Sequence, residues 1–407
     1  MDSHIRQFNL INLKDLTLLL YLIKLESEKF ILESQTENSY KKFTLREFGG
    51  AFGDWGTLIP FIIGYISIVG LNPAGIFLTL GITNILLGIK FNLPLPVQPQ
   101  KTIGTVAISK EWSPNMVIST GFGTGVIWFL LGFSKKLNKI VSKVPIISVR
   151  GIQLGLGLIL GWTGIILFSE NIFLGFISIL IILILIKNKP IPSAIILTLG
   201  GILILFITGT IKISDLKFGI PLLAFQIPTW KNFLLGMLYA GIAQLFLTLT
   251  NVMVATVVLI KELFPEKESV DANNLAFNMG AMNLITPFFT GMPLCHGSGG
   301  LMAQYAFGAR TGGSMILEGI MEIILGFFFS EALFLLFTEF PIAILGAMLI
   351  YTAILLGNIA FRDFNIKTFP IILISAIICF FINIALGFLI GLILYLIFKK
   401  MIEEGKS

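Results

Sequence analysis

The sequence predicts an all-α polytopic membrane protein, with about fourteen transmembrane elements in two inverted seven-helix repeats. The third and tenth elements are short half-helices. Three observations carry this prediction. The first is composition: of 407 residues, 56% are hydrophobic and only 12% charged, and mean hydropathy is +0.93. Soluble domains carry about 25% charged residues, and a soluble chain this apolar would expose large hydrophobic patches and aggregate. A soluble enzyme, a disordered chain and a nucleic-acid binder are therefore excluded. The second is a succession of apolar runs near the length of about 20 residues that a helix needs to cross a bilayer. The third is a repeated spacing. Asp54 and Pro96 stand 42 positions apart, as do Asn251 and Pro293. Pro145 and Pro341 are 196 apart, against 197 for Asp54 and Asn251.

The elements follow in order. Residues 1–42 are polar, and their one apolar run is too short to span, so they read as an amphipathic cytoplasmic segment with no removable signal peptide. Runs 49–70 and 73–91 form the first two spans, 98–110 is too short to cross alone, and 114–133, 144–168, 172–186 and 190–207 complete the first half. Segment 210–231 is more polar, carries Pro221 and Pro228, and reads as the link between halves. The plan then repeats: 232–260, 273–292, the short 298–309, 312–337, 341–360, 368–382 and 386–398. The expected organisation is a cytoplasmic segment 1–47, membrane repeat 48–215, linker 216–230, membrane repeat 231–400 and cytoplasmic tail 401–407.

An odd number of spans per repeat turns the second repeat upside down. The distribution of basic residues tests this. With the N-terminus inside, the predicted cytoplasmic loops carry Lys135, Lys136, Lys139, Lys143 and Arg150, then Lys187 and Lys189, Lys261 and Lys267, Arg310, Arg362 and Lys367, and Lys399 and Lys400. The outer loops hold mainly Lys110, Lys212, Lys217 and Lys231. A multi-pass cell-membrane protein with both termini cytoplasmic is the expectation. The net charge of +6 is a mark of orientation, not of nucleic-acid binding.

The two breaks, FNLPLPVQPQKTIGTVAIS (91–109) and FFTGMPLCHGSGGLMAQYAFGAR (288–310), carry the functional signal. Non-helical backbone at membrane depth survives only where protein or a water-filled cavity satisfies it, and paired broken segments in two halves point to a transporter site. Each half-helix would aim its N-terminal N–H groups and positive dipole end at the membrane centre, which suits an anion. Gly297, Gly299 and Gly300 permit close backbone approach. Gln98, Gln100, Lys101, Thr102, His296, Ser298, Gly299 and Gly300 are the candidate substrate-binding residues at the breaks. Gln244 and Asn251 join them, because Gln244, Thr248 and Asn251 are spaced four and three apart on one helix face. For these three, the alternative is interhelical hydrogen bonding. For Lys101 it is a structural ion pair with Asp54. For His296 it is a ring satisfied by the backbone, shaping the loop.

Asp54, His296, Glu318 and Glu322 are the candidates for proton coupling, since intramembrane ionisable groups mark ion and proton paths. Glu318 and Glu322 lie four apart on one helix face, and pairing with a neighbour such as Arg310 is their alternative role. Cys295 and His296 give only two metal ligands, so no metal site is expected; Cys295 and Cys379 do not read as a disulfide framework. No P-loop or other nucleotide motif is present, no cofactor is implied, and no catalytic residue is assigned.

Four segments, FGDWGTLIPFIIG (52–64), LPVQPQKTIGTVAIS (95–109), AQLFLTLTNVMVA (243–255) and MPLCHGSGGLMAQYAFGARTGG (292–313), resemble the molybdate transporter family, a branch related to the sulfate permeases. The resemblance runs in order over about 48–356, and its PVQPxK and PxCHGxGGLxxQYxFGAR patterns are specific. It implies high-affinity molybdate uptake, with relatives that carry sulfate. The wider superfamily, which includes uracil permease, implies seven plus seven inverted helices, a core and a gate domain, and substrate between the third and tenth elements. The chain departs from the family pattern at Phe246 and Val252, in a helix that usually reads QLPLTxLNS, and at Gln100, where Met is common. No regulation through the C-terminal cytoplasmic domain of many sulfate permeases is expected.

The reading is a secondary transporter of a tetrahedral oxyanion, most readily molybdate, with sulfate or tungstate as other inorganic oxyanions and a homodimer as the candidate assembly. A sulfate or other anion exchanger is the nearest alternative. A passive anion channel is disfavoured by the lack of a ring of like charges. An intramembrane enzyme would need His296 with Ser298 or Cys295 as a nucleophile pair.

Overall fold

The computed structural model describes residues 41–134, 137, 145–185, 193–221, 223–267, 270–361 and 365–403. Segment 1–40, tail residues 404–407, and Lys135, Lys136, Lys139, Lys143, Lys187, Lys189 and Arg362 of the predicted cytoplasmic loops lie outside the described residues.

The first predicted span divides in two: α1 (Leu45–Ala51) and α2 (Trp55–Ser67). At the division, a Cβ on Gly53 would stand 2.6 Å from the carbonyl oxygen of Ala303, so the chain lies directly against a neighbouring backbone there. Next come α3 (Pro73–Phe91), strand β1 (Gln98–Pro99), α4 (Lys101–Ser109), α5 (Pro114–Ser134), α6 (Ile146–Ser169), α7 (Ile172–Leu185) and α8 (Ser193–Ile207). α3 starts where the sequence says it must: Asn72 Oδ1 accepts from Ala74 N at 2.8 Å and Pro73 opens the helix. It ends at Asn92, which adopts left-handed backbone (φ 49). The predicted link contains one 3₁₀ turn, Ile213–Asp215, and otherwise irregular chain up to Trp230.

The second half contains α9 (Trp230–Leu263), α10 (Ala272–Ile285), strand β2 (Leu294–Cys295), α11 (Ser298–Ala306), α12 (Gly313–Phe328), α13 (Ser330–Thr338), α14 (Ile342–Ala360), α15 (Phe369–Phe381) and α16 (Ile384–Glu403). Two features are not predicted. α9 is interrupted by wide π turns at Met237–Gly241 and Asn251–Thr256. The run 312–337, read as one span, is bent by 84° between α12 and α13.

Among the described residues, α3, α5, α6 and α9 are each long and apolar enough to cross a bilayer, and the bent pair α12–α13 makes a fifth if counted as one span. α2, α7, α8 and α15 are apolar helices of 13, 14, 15 and 13 residues. The chain is a mostly helical, multi-pass membrane protein.

The helices sort into two groups by their most extensive packing. In one, α3 lies on α12 and α5 on α10, with α9 against α5; in the other, α6 packs on α14 and α15, with α16 on α15 and α7 on α14. Close helix approach in the first group is set by glycine. A Cβ on Gly81 of α3 would meet Gly319 O of α12 at 2.5 Å, and a Cβ on Gly319 would meet Gly81 O at 2.5 Å. Small residues that let backbones touch are the main source of helix association in lipid. Phe246 of α9, where the family pattern has proline, stacks on Phe388 of α16 at 4.0 Å and so joins the two groups.

Candidate functional site

The two breaks meet. β1 and β2 pair antiparallel, with Gln98 opposite Cys295 and Pro99 opposite Leu294, and Gln100 N donates to Pro293 O at 2.8 Å. This two-residue ladder gives the non-helical backbone the partners that membrane depth demands. Two asparagines complete it. Asn84 of α3 accepts from Val97 N at 3.0 Å; Asn283 of α10 accepts from Leu294 N at 2.8 Å and donates to Leu294 O at 2.7 Å. One residue, Gln100, separates β1 from α4, and two, His296 and Gly297, separate β2 from α11, so both half-helices start at the same small sheet.

The two starts differ. At α4, Thr102 N donates to Gln244 Oε1 at 2.8 Å, and Gln244 Nε2 donates to Thr248 Oγ1 at 3.0 Å. One amide of this half-helix is thus held by a side chain of α9. At α11 neither the N-cap Gly297 nor a side-chain cap closes the end. Gly299 is exposed, and a Cβ there would meet nothing within 4 Å. Gly300 is the tight position, since its Cβ would come within 2.9 Å of Pro96 Cγ.

Buried polar atoms without partners gather here. Both ring nitrogens of His296, which is 2% exposed, lack a hydrogen bond, as do Thr102 Oγ1, Thr105 Oγ1 and Tyr65 OH. Tyr65 lies against α4, its hydroxyl 3.1 Å from where a Gly104 Cβ would stand. The role of His296 as a backbone-satisfied loop residue is therefore not what the structure shows. Native proteins leave few such groups, and each calls for an explanation. Cys295 Sγ donates to His296 O at 2.9 Å, not to the imidazole, so the nucleophile–base bond that an enzyme would need is missing.

Lys101 is partly buried at the first residue of α4. It is an electrostatic neighbour of Cys295, and it has no ion pair among the described residues. Its structural alternative, a pair with Asp54, is not formed. Asp54 instead accepts from Gln98 Nε2 at 3.2 Å and from Gln304 Nε2 at 3.2 Å. Gln98 Nε2 also reaches Thr57 Oγ1 at 3.1 Å. Gln100 is turned away from this cluster and bonds Thr124 Oγ1 at 3.0 Å and Leu294 O at 3.1 Å.

Two of the carboxyls, Asp54 and Glu318, are joined by one side-chain amide, and Glu322 is held separately. Gln304 Nε2 also donates to Glu318 Oε2 at 2.7 Å, and Trp55 Nε1 donates to Glu318 Oε1 at 2.9 Å. Asn84 Nδ2 donates to Glu322 Oε2 at 2.9 Å. Arg310 takes neither glutamate. Its guanidinium donates to Tyr305 O and Ala309 O and stacks over the Tyr305 ring, while its backbone N–H goes to Glu47. Asn251 also departs from expectation. It accepts from Gln153 Nε2 of α6 at 3.1 Å, across the boundary between the two helix groups, instead of joining Gln244 and Thr248 at the break. Asn251 stands where regular α-helix gives way to a π turn, one turn past Leu247, whose carbonyl its N–H still bonds.

Asn84, Asn283, Trp55 and Gln304 were not among the candidates. Each is a polar or amphipathic residue in an apolar helix, and that is the signal that could have found them.

Comparison with known proteins gives one consistent answer. A family model described as "Molybdate transporter of MFS superfamily" matches residues 46–160 and 236–356. Among curated proteins, the chain is 32% identical over 406 residues to molybdate transporter 2 of Arabidopsis thaliana, covering 87% of each. It is 30% identical to molybdate transporter 1 of the same plant, covering 87% of this chain and 88% of the relative. Among solved structures, the fold is similar to the transmembrane domain of a cyanobacterium bicarbonate transporter, BicA (TM-score 0.61, 15% identity, 87% of this chain and 98% of that one). It is also similar to murine Solute Carrier 26 family member A9, an anion transporter in the inward-facing state (TM-score 0.64, 14% identity, 91% of this chain and 71% of that one).

Proposed function

The chain belongs to the molybdate transporter family, and from that membership we propose that it is a secondary transporter of a tetrahedral oxyanion, molybdate. The observation that carries the reading is the meeting of two half-helix starts at one small sheet beside a buried imidazole with both nitrogens unpartnered. Helix N-termini favour anions through free N–H groups and the dipole, and a divalent oxyanion presents acceptors to two such ends at once.

In this reading, Ser298, Gly299 and Gly300 offer the open end of α11, and Lys101 and Thr102 form the capped end of α4. His296 supplies an N–H donor between them. Lys101 contributes positive charge that no carboxylate of the described chain neutralises. Gln98, Gln100 and Gln244 hold the two starts in register. Asn251 belongs to the moving boundary between helix groups, not to the anion.

The finer architecture belongs to the same proposal. Fourteen elements in two inverted repeats, 48–215 and 231–400, place both termini on the cytoplasmic side, and the two helix groups act as core and gate, one moving against the other. Proton coupling runs through Asp54, Glu318 and Glu322, with His296 as a further carrier. A homodimer is the proposed assembly.

The test is uptake of labelled molybdate into proteoliposomes of the purified chain, competed by tungstate and sulfate, with and without a proton gradient. Saturable uptake that sulfate at equal concentration does not inhibit is expected. Inhibition by equal sulfate would make the substrate assignment too narrow, and no uptake at all would overturn it.

A further inference from the structure

Asn84 is buried in α3, and the sequence reading gives it no role. Its carboxamide uses both ends. Oδ1 accepts from Val97 N at 3.0 Å, one residue before Gln98, and Nδ2 donates to Glu322 Oε2 at 2.9 Å. It is therefore the direct link between a membrane-buried carboxyl and the backbone of the first break. The Gly81–Gly319 contact, 2.5 Å in both directions from a would-be Cβ, holds α3 against α12 and fixes the reach of that link.

Glu322 differs from the other two carboxyls. Both oxygens of Asp54 and both of Glu318 accept side-chain hydrogen bonds. Glu322 accepts at Oε2 only, and its Oε1 is buried without a partner. A proton can join or leave that oxygen without breaking an existing bond. Asp54, before α2, and Glu318, on the same helix, are the electrostatic neighbours of Glu322; the charged groups on elements packed against α12 are Lys90 on α3, Arg46 and Glu47 on α1, and Glu331 on α13. Lys90 Nζ bonds Asn278 Oδ1 at 2.8 Å, and Glu47 takes the amides of Arg310 and Thr311. Among the described residues no cation pairs with Glu322.

We propose that Asn84 is a positioning residue that links the protonation of Glu322 to the geometry of the first break. This rests on the proton-coupled reading above. The step is a proton transfer: the Oε1–H bond of Glu322 breaks, the proton leaves to water, and the carboxylate keeps the electron pair. The new charge strengthens the Asn84 Nδ2–H bond, because hydrogen bonds to charged groups are about twice as strong as neutral ones. Polarisation of the amide passes the change to Oδ1 and Val97 N–H. Val97 moves the strand that carries Gln98 and the start of α4.

Asn283 provides the internal control. It supports β2 as Asn84 supports β1, yet its Nδ2 goes to Leu294 O and Met279 O, and no carboxyl is attached.

The experiment compares the full-length wild type with Asn84→Ala, Glu322→Gln and Asn283→Ala in proteoliposomes. Two readouts are taken with labelled molybdate: accumulation driven by an inward proton gradient, and counterflow exchange at equal pH. In Glu322→Gln, gradient-driven accumulation falls about tenfold or more, the scale of losing a bond to a charged group, while counterflow persists; in Asn84→Ala, which also frees the Val97 N–H, counterflow falls too, but about tenfold less than accumulation. Glu322→Gln keeps the acceptor for Asn84 and the side-chain shape, so it guards against a folding artefact. Asn283→Ala loses both activities together. Full gradient stimulation in Glu322→Gln overturns the proposal, as does parallel loss of both activities in Asn84→Ala. Wild-type uptake that ignores the gradient strikes the coupling reading itself, and that result is visible before any variant is made.

Discussion

The capped start of α4 yields the sharpest test of where the anion binds. Gln244 Oε1 occupies the Thr102 N–H at 2.8 Å, and Gln244 Nε2 donates to Thr248 Oγ1 at 3.0 Å. Replacement by glutamate keeps length and acceptor, and the Thr248 hydroxyl can reverse to donate. The added charge sits at a helix N-terminus, where it contributes about 0.3–1 kcal/mol, and up to about 2 in partly buried geometry. A charge-assisted bond to Thr102 N–H adds more. An incoming oxyanion then competes with a fixed carboxylate for the same amide. The loss is about 1.5–3 kcal/mol, or about ten- to a hundredfold in Kd. The assay is titration calorimetry of molybdate into purified Gln244→Glu and wild type, with thermal unfolding as the control for folding. A companion variant, Gln244→Leu, leaves the Thr102 N–H unpaired at a cost of about 1–3 kcal/mol in the ligand-free protein. Molybdate that satisfies this amide produces a larger thermal shift in Gln244→Leu than in wild type. Wild-type affinity in Gln244→Glu would refute binding at the α4 start.

Two further outcomes follow from the same geometry. Gly299→Ala meets no atom within 4 Å, and alanine in a helix is favoured over glycine by about 1 kcal/mol. Thermal stability is therefore expected to hold or rise while molybdate affinity falls, because the methyl group stands where the anion approaches the α11 amides; unchanged affinity would move the anion elsewhere. Gln304→Leu removes the one amide nitrogen shared by Asp54 and Glu318. Two buried oxygens lose their donor at about 1–3 kcal/mol each, so the unfolding temperature drops well below wild type; a variant as stable as wild type would show the network to be incidental.

Much of this was legible in the sequence because the bilayer allows few solutions. Apolar length marks the helices, and α3 matches its predicted bounds. The half-helix starts at Lys101 and Ser298 were placed within a few residues, since paired Pro/Gly-rich runs at matching positions of two halves mark broken helices. What escaped was set by contacts. The first span divides where Gly53 lies against Ala303, a long-range contact that local pattern cannot reveal. The bend at Phe329 and the π turns of α9 carry no Pro, so no local signal marks them. Asn251 shows the limit most directly. The helix from Gln244 to Asn251 is regular, as the spacing assumed, yet Asn251 bonds Gln153 of α6, a partner that only the packing of α9 on α6 supplies.

The duplicated breaks were the strongest sequence signal, yet function depends on where the copies differ. Asn84 and Asn283 are each an asparagine in the apolar helix before a break, and each accepts from the strand that follows. The repeat offset of 197 carries Asn84 to Ala281, two residues short of Asn283, so the two share a task without sharing an aligned position. The structure separates them by the second end of the amide: Asn84 reaches Glu322, while Asn283 turns back to its own helix and strand. The helix starts differ in the same sense, with Gln244 closing the α4 amide and Gly299 leaving α11 open. A symmetric pair of anion sites linked to no carboxyl would hold an oxyanion from either side with nothing to drive its direction. In the proposed mechanism, the direct tie of Asn84 to Glu322 at the first break, with no carboxyl on Asn283 at the second, is what allows a proton to bias transport.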